Sequence, residues 1–390
     1  MVRGVSAAEV LMLRFGDHGK TWGDPEAIRA DEPVAAGLSR SVSVSCFFLD
    51  PDNGLPARFL MDVISKSGEI AYANASGYGP HTIRLFYQIS RDQGRTWEPR
   101  RQLIETGTDY NARHWAKDVQ YGRSSLCVEG QTPHKLRSGA IVIPAYLWPT
   151  DEHMAARFEE QKWPAELRRD APYFVEGRCL FLRWKPDRSG FDFTSGGPMI
   201  ADGGYTSAGT CGSDEPAVAY LDDRRWLAVI RTSTSHVETF RKRNIALLRQ
   251  CLLTADGGAT WSKSEPLRFD DGGTVNSPSA YSHFIRSSRA GKWYWIGNII
   301  PQSHYGNCDP RYPLQIVELD ANTLRLKRDT VTIIQDKEPD DDKWVRFSNF
   351  RAYEERGSGD LIVLMTKSYC EFARAGLPTP AYRYRIKLPR

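Results

Sequence analysis

Glu215 stands at the head of the run Asp214-Glu215-Pro-Ala-Val-Ala-Tyr-Leu, and Arg231 closes the next β-rich run sixteen residues later. A guanidinium presents a planar fork of N–H donors that grips a carboxylate through two parallel hydrogen bonds, and nearby cations favour the ionised form of an acid. A glutamate beside such forks is equipped to take a proton and to sit next to a bound anion. Arg311, in Asn307-Cys-Asp-Pro-Arg311-Tyr-Pro-Leu, is a second fork of this kind. The competing reading is a buried Glu–Arg pair that only ties one strand to the next.

Other residues carry related chemistry. Tyr281 and His283 belong to one β-rich run, Arg346 opens another, and His114, Asp118, Arg123 and Tyr146 flank the runs Ser124–Val128 and Ala140–Ala145. Asp118, Asp151 or Glu152 could serve as the acid to Glu215's base, a two-carboxylate arrangement for glycoside hydrolysis. His114, His134, Tyr146 and Arg123 suit a different reaction, abstraction of the proton beside a uronate carboxylate. No H-x-H, H-E-x-x-H or aspartate-rich calcium loop occurs, so neither a metal nor a cofactor is expected.

These side chains need a scaffold, and a repeat supplies its outline. Phe15-Gly-Asp17-His-Gly-Lys-Thr-Trp22, Ser90-Arg-Asp92-Gln-Gly-Arg-Thr-Trp97 and Thr254-Ala-Asp256-Gly-Gly-Ala-Thr-Trp261 share the frame x-x-D-x-G-x-T-W. Asp followed two residues on by Gly makes a tight turn whose carboxylate accepts backbone N–H bonds, so Asp17, Asp92 and Asp256 are expected to be structural. Each copy follows a β-rich run, with degenerate copies at Trp184-Lys-Pro-Asp187-Arg-Ser-Gly190 and Leu319-Asp320-Ala-Asn-Thr323. Alternating runs at Val42–Leu49, Phe59–Val63, Ala217–Leu221, Trp226–Ile230, Trp293–Ile296 and Asp360–Met365 predict short antiparallel strands. One helix is predicted, at Asp151–Gln161, inside a lid-like insertion at about residues 146–178.

The repeat resembles the Asp box of the sialidase superfamily. The resemblance implies an all-β fold, a six-bladed β-propeller of four-stranded antiparallel blades over residues 1–390 as a single domain, with the boxes opposite the active site. The closing blade is either incomplete or shared between the termini. In such blades the start of strand one, the end of strand two and the start of strand three share one face, which gathers Glu215, Arg231, Tyr281, Arg311 and Arg346 with His114, Asp118, Arg123 and Tyr146. The family's E-P-x-V-x-x-L pattern is similar to the Glu215 run, so Glu215 would match its catalytic glutamate, and Arg231 and Arg311 two of its three carboxylate-binding arginines. Where the family has a tyrosine nucleophile, this chain reads Arg346-Phe347-Ser348-Asn349-Phe350, and Tyr281-Ser282 is a candidate replacement. The resemblance implies an exo-type glycoside hydrolase acting on a terminal sialic or related acid. A propeller-fold uronate lyase and a non-catalytic glycan-binding propeller are the rival classes.

Bulk properties exclude several other classes. The chain has 390 residues, 41% hydrophobic and 26% charged, with 52 basic and 48 acidic side chains giving +4. Interspersed charge argues against nucleic acid, and no apolar stretch approaches the roughly 18 residues of a membrane span. Seven scattered cysteines without a C-x-x-C pair suggest buried free thiols in a reducing compartment. The expected location is cytoplasmic for the chain as given, or secreted or periplasmic for a longer N-terminus.

Overall fold

The computed structural model describes residues 10–12, 26–28, 38–66, 82–129, 131–160, 162, 175–201, 212–232, 247–301, 308–370 and 372–388. Five small antiparallel sheets dominate them. Leu38–Leu49, Pro56–Lys66, Thr82–Ile89 and Arg101–Gln102 pair in chain order. Ser125–Cys127, Ile141–Trp148, Glu176–Trp184 and Phe191–Ser195 do the same, with His134–Lys135 also paired to Ile141–Trp148. The third sheet is Asp214–Tyr220, Trp226–Arg231, Gln250–Thr254 and Glu265–Pro266. The fourth is His283–Arg286, Trp293–Asn298, Leu314–Asp320 and Arg325–Leu326, with Thr332–Gln335 added against Leu314–Asp320. Arg351–Glu354, Leu361–Thr366 and Ala381–Ile386 form a three-stranded fifth. A hairpin of Val10–Met12 with Glu26–Ile28 stands as its own two-stranded sheet.

Central strands are largely buried, and Ile141–Trp148 wholly so, its continuous apolar run fitting a strand covered on both faces. Outer strands of two residues, such as Arg101–Gln102 and Glu265–Pro266, leave little edge to template another chain. The predicted helix is present at Asp151–Glu160. Residues 163–174 of the expected insertion, and the first copy of the repeat with Asp17, lie outside the described residues.

The chain divides into two compact units. One comprises Met1–Lys135, Gly139–Asp151 and Leu180–Ser195, and the other Leu136–Ser138, Glu152–Cys179 and Gly196–Arg390. A turn of the repeat occurs in each, with the same bonding. In the first, Thr96 donates its N–H and hydroxyl to the two oxygens of Asp92 at 2.8 and 2.6 Å, and Gly94 N–H donates to Ser90 Oγ at 2.7 Å. In the second, Thr260 donates to Asp256 at 2.9 and 2.6 Å, and Gly258 N–H to Thr254 Oγ1 at 3.0 Å. Each turn joins the third strand of its sheet to the fourth. No helix among the described residues is long and apolar enough to cross a membrane.

Candidate active site

In a regular strand successive side chains point to opposite faces. Asp214 and Glu215 break that rule. Pairing with the neighbouring strand jumps from Asp214↔Arg231 to Ala217↔Val229, a bulge, and Glu215 sits at φ +40°. A left-handed backbone is costly for a residue with a Cβ, more so immediately before a proline, and such strain collects at functional sites. Pro216 has no N–H to lose from the ladder, so the bulge leaves no stranded donor there. As a result both carboxylates reach one guanidinium: Arg231 Nη1 is 2.7 Å from Glu215 Oε1 and 3.6 Å from Asp214 Oδ2.

Glu215 is only 6% exposed. Its Oε2 is buried and meets no hydrogen-bond donor among the described residues. A buried acceptor left in this state costs roughly 1–3 kcal/mol, so it is a position a ligand or water hydrogen can satisfy.

Arg231 is steered from its other edge by Nε donating to Ser279 Oγ at 3.0 Å. The same Ser279 offers its carbonyl to Arg311 Nη2 at 3.2 Å, and Arg311 also donates to Cys308 O at 2.8 Å and Ser348 Oγ at 3.1 Å. Segment 277–280 is in turn held by the buried Arg249, which donates to Ser277 Oγ and to the carbonyls of Pro278 and Ala280. Burial pushes the Arg311 guanidinium below its ordinary proton affinity, the positive charges of Arg231 and Arg346 add to this, and Glu215 opposes it. Arg231, Arg311, Arg346 and Glu215 thus form one electrostatic cluster.

Arg346 runs beside Arg311 in a parallel bridge and is already engaged. Its Nε and Nη2 donate to the two carboxylate oxygens of Asp309 at 2.7 and 2.6 Å. Burial lowers the proton affinity of Arg346, but Asp309 outweighs it and the net direction is upward.

The next residue faces elsewhere. Phe347 is 1% exposed and belongs to an apolar cluster with Tyr281, Val345, Phe350 and Met365, while Ser348 accepts from Arg311 through its hydroxyl oxygen. The position that the resemblance aligns with a tyrosine nucleophile thus carries a side chain packed in the core. Tyr281 is in the same cluster, its ring edge-on to Phe350 at 5.2 Å and its hydroxyl 3.3 Å from His283 Nδ1. Burial, with the charge of Arg351 adding, drops His283 to about 3, so this imidazole is neutral at ordinary pH.

The strand bearing Glu215 is entered through Gly212 and Ser213, which lie beside Val175: Ser213 N–H donates to Val175 O at 2.7 Å. Gly212 has φ +87°, and a Cβ there would fall 2.3 Å from Val175 O, so only glycine fits. Glu176 follows, wholly buried, with Oε1 accepting from His153 Nε2 at 2.8 Å and from Arg157 Nε. Burial alone would raise this carboxyl, but the two helix side chains hold it below the usual range.

His114, Asp118, Arg123 and Tyr146 belong to the other unit. There His114 Nδ1 lies 3.1 Å from Asp109 O, Asp118 has φ +64° and accepts from Ser124 through its carbonyl, and Arg123 contacts Gln120 at 3.4 Å. Tyr146 is buried and donates to Glu129 at 2.6 Å. Among the described residues no cluster of three or more His, Cys, Asp and Glu is placed to hold a metal.

Sequence reasoning selected Glu215, Arg231, Arg311 and Arg346, which the structure gathers, and passed over Asp214, Ser279, Asp309, Ser348 and Arg249. Asp214 and Asp309 stood inside the quoted motifs, and an acid beside a functional arginine was the available signal.

No protein-family model and no curated protein matches the chain. Solved structures do. A protein of unknown function from Dyadobacter fermentans aligns over 98% of this chain and 84% of its own, at 13% identity and a TM-score of 0.55. The intramolecular trans-sialidase from Ruminococcus gnavus, in complex with oseltamivir carboxylate, covers 98% and 88% at 12% identity, with a TM-score of 0.54. The NanB sialidase from Streptococcus pneumoniae covers 94% of this chain and 62% of its own at 12% identity and a TM-score of 0.53. The fold is that of a sialidase-like β-propeller. The five antiparallel sheets described above are its blades among the described residues.

Proposed function

We propose that this chain is a glycoside hydrolase working at the terminus of an acidic glycan, on a single six-bladed sialidase-like propeller, with Glu215 as its base. The observation that carries the reading is the split environment of one carboxylate: Oε1 clamped by Arg231, Oε2 buried without a donor among the described residues. A carboxylate fixed by one oxygen and without a donor at the other is oriented to take a proton from a water or sugar hydroxyl brought against it. Arg231 and Arg311 supply positive charge for a sugar carboxylate, Arg231 as a direct contact and Arg311 from behind through Ser279. With the ring of Phe347 in the core, the reading favours water activated by Glu215 over a covalent intermediate at that position. Fold neighbours that are sialidases or trans-sialidases support the class without fixing the sugar.

The test is turnover of a fluorogenic sialoside and of matched neutral glycosides by the parent chain and by Glu215→Gln. Release from the sialoside by the parent, lost in the variant, supports the reading. Equal turnover by both proteins removes Glu215 from it, and an unsaturated product absorbing at about 235 nm from a uronate polymer transfers the chain to the lyases.

A further inference from the structure

Resting on that reading, we propose that Asp309 is the specificity-determining residue of the site, an internal counter-ion that fills the Nε–Nη2 edge of Arg346, offsets its charge toward the ligand and leaves the site selective for a sugar with a single acidic group. The Nε–Nη2 edge of a guanidinium binds one carboxylate at a time in the two-bond mode. On Arg346 that mode is filled by the chain itself, both oxygens of Asp309 lying at ordinary charge-assisted distances of 2.7 and 2.6 Å. The pair is not sealed in the core, since the two side chains keep 18% and 17% of their surface exposed. A pair so placed can be reached and competed for by a dissolved anion.

The charge count points the same way. Among the described residues three arginines, 231, 311 and 346, stand with three carboxylates, Asp214, Glu215 and Asp309, so this set of side chains is balanced before any ligand enters. Without Asp309 it carries one uncompensated cation beside Arg311, whose proton affinity is already lowered by Arg346. Asp309 therefore does two things. It shields Arg311 from its neighbour's charge, and it occupies one edge of the second anion-binding fork. Arg311 is less suited to that role, because its Nε, Nη1 and Nη2 each already donate one hydrogen to an internal acceptor.

The experiment is calorimetric titration with N-acetylneuraminic acid, its neutral methyl ester, and a sialic acid carrying an added sulfate, on the parent, Asp309→Asn, and Asp309→Asn combined with Arg346→Gln. The amide keeps the shape and one acceptor but not the charge. Expected in Asp309→Asn is about a tenfold or greater gain for the sulfated acid, a smaller gain for the plain acid and none for the ester, with the gain abolished in the double variant. Equal changes for acids and ester, or no change in a variant whose melting temperature shows it folded, overturn the role of Asp309. Should Asp309→Asn not fold, Asp309→Glu, which keeps the charge but displaces it, must weaken discrimination between the two acids or the proposal fails. The underlying hydrolase reading fails separately, if Arg231→Lys leaves the acid's affinity unchanged.

Discussion

Arg231 holds Glu215 by one oxygen. The bond from Nη1 to Oε1 is 2.7 Å, while Oε2 is buried without a donor among the described residues. Glu215→Gln keeps the shape and an acceptor for Arg231 but removes the base, so kcat on an acidic glycoside is expected to fall by roughly 10²-fold or more with KM little changed. Steady-state kinetics on both proteins, with melting curves to confirm folding, check this.

Arg231→Lys retains the charge and loses the planar fork, and with it either the contact to Glu215 or the one to Ser279. Acidic ligands should lose affinity by about tenfold or more, an ordinary cost for a charge-assisted bond, and neutral glycosides much less. Parallel titrations with an acid and its ester give the ratio; equal losses would show that the arginine only shapes the loop.

Phe347→Tyr is expected to harm and not to help. The new hydroxyl would enter an apolar cluster with Tyr281 and Phe350, at a cost of roughly 1–3 kcal/mol if it stays unpaired. The melting temperature should drop, and a fluorinated sialic-acid trap should add no mass to the variant. Trapped sugar on the peptide that spans the substituted position would mean that the ring reaches the sugar after all.

Asp92 and Asp256 both titrate at about 2 rather than 3.8, first because Thr96 and Thr260 donate their hydroxyls and then through the N–H of the same residues. The folded chain thus holds these protons less readily than the unfolded one, so the stabilisation is complete above about pH 4 and fades as pH falls through the window from about 4 to 2. Asp92→Asn and Asp256→Asn should melt lower near neutrality and converge on the parent toward pH 2, with turnover per folded molecule unaltered. Melting scans across that range, paired with activity, decide it.

What could be read in advance was what is encoded locally. The x-x-D-x-G-x-T-W turns close within eight residues, and the strands Trp226–Arg231 and Leu314–Asp320 announce themselves by their largely apolar runs. Glu215 and Arg231 were legible because a hairpin fixes who meets whom across sixteen residues. Asp309 with Arg346, 37 residues apart, and Ser279 with Arg231, 48 apart, join separate segments, and no local pattern announces such pairs. The orientation of Phe347 was hidden for a related reason. Arg346 ends the two-residue strand Val345–Arg346 and Phe347 and Ser348 follow it outside any strand, so which of them turns inward is decided by the apolar cluster waiting beneath.

The bulge at Glu215 makes the site a matter of counting. Because the extra residue alone brings two successive acids to one side, removing Pro216 would restore strict alternation and rotate one of them toward the opposite face, with every catalytic residue type still present in the chain. Substitutions at Asp214 or Glu215 change one group each; a single-codon deletion between Glu215 and Ala217 would dismantle the arrangement without touching either acid. Length in this hairpin therefore matters to the arrangement as much as the identity of either acid.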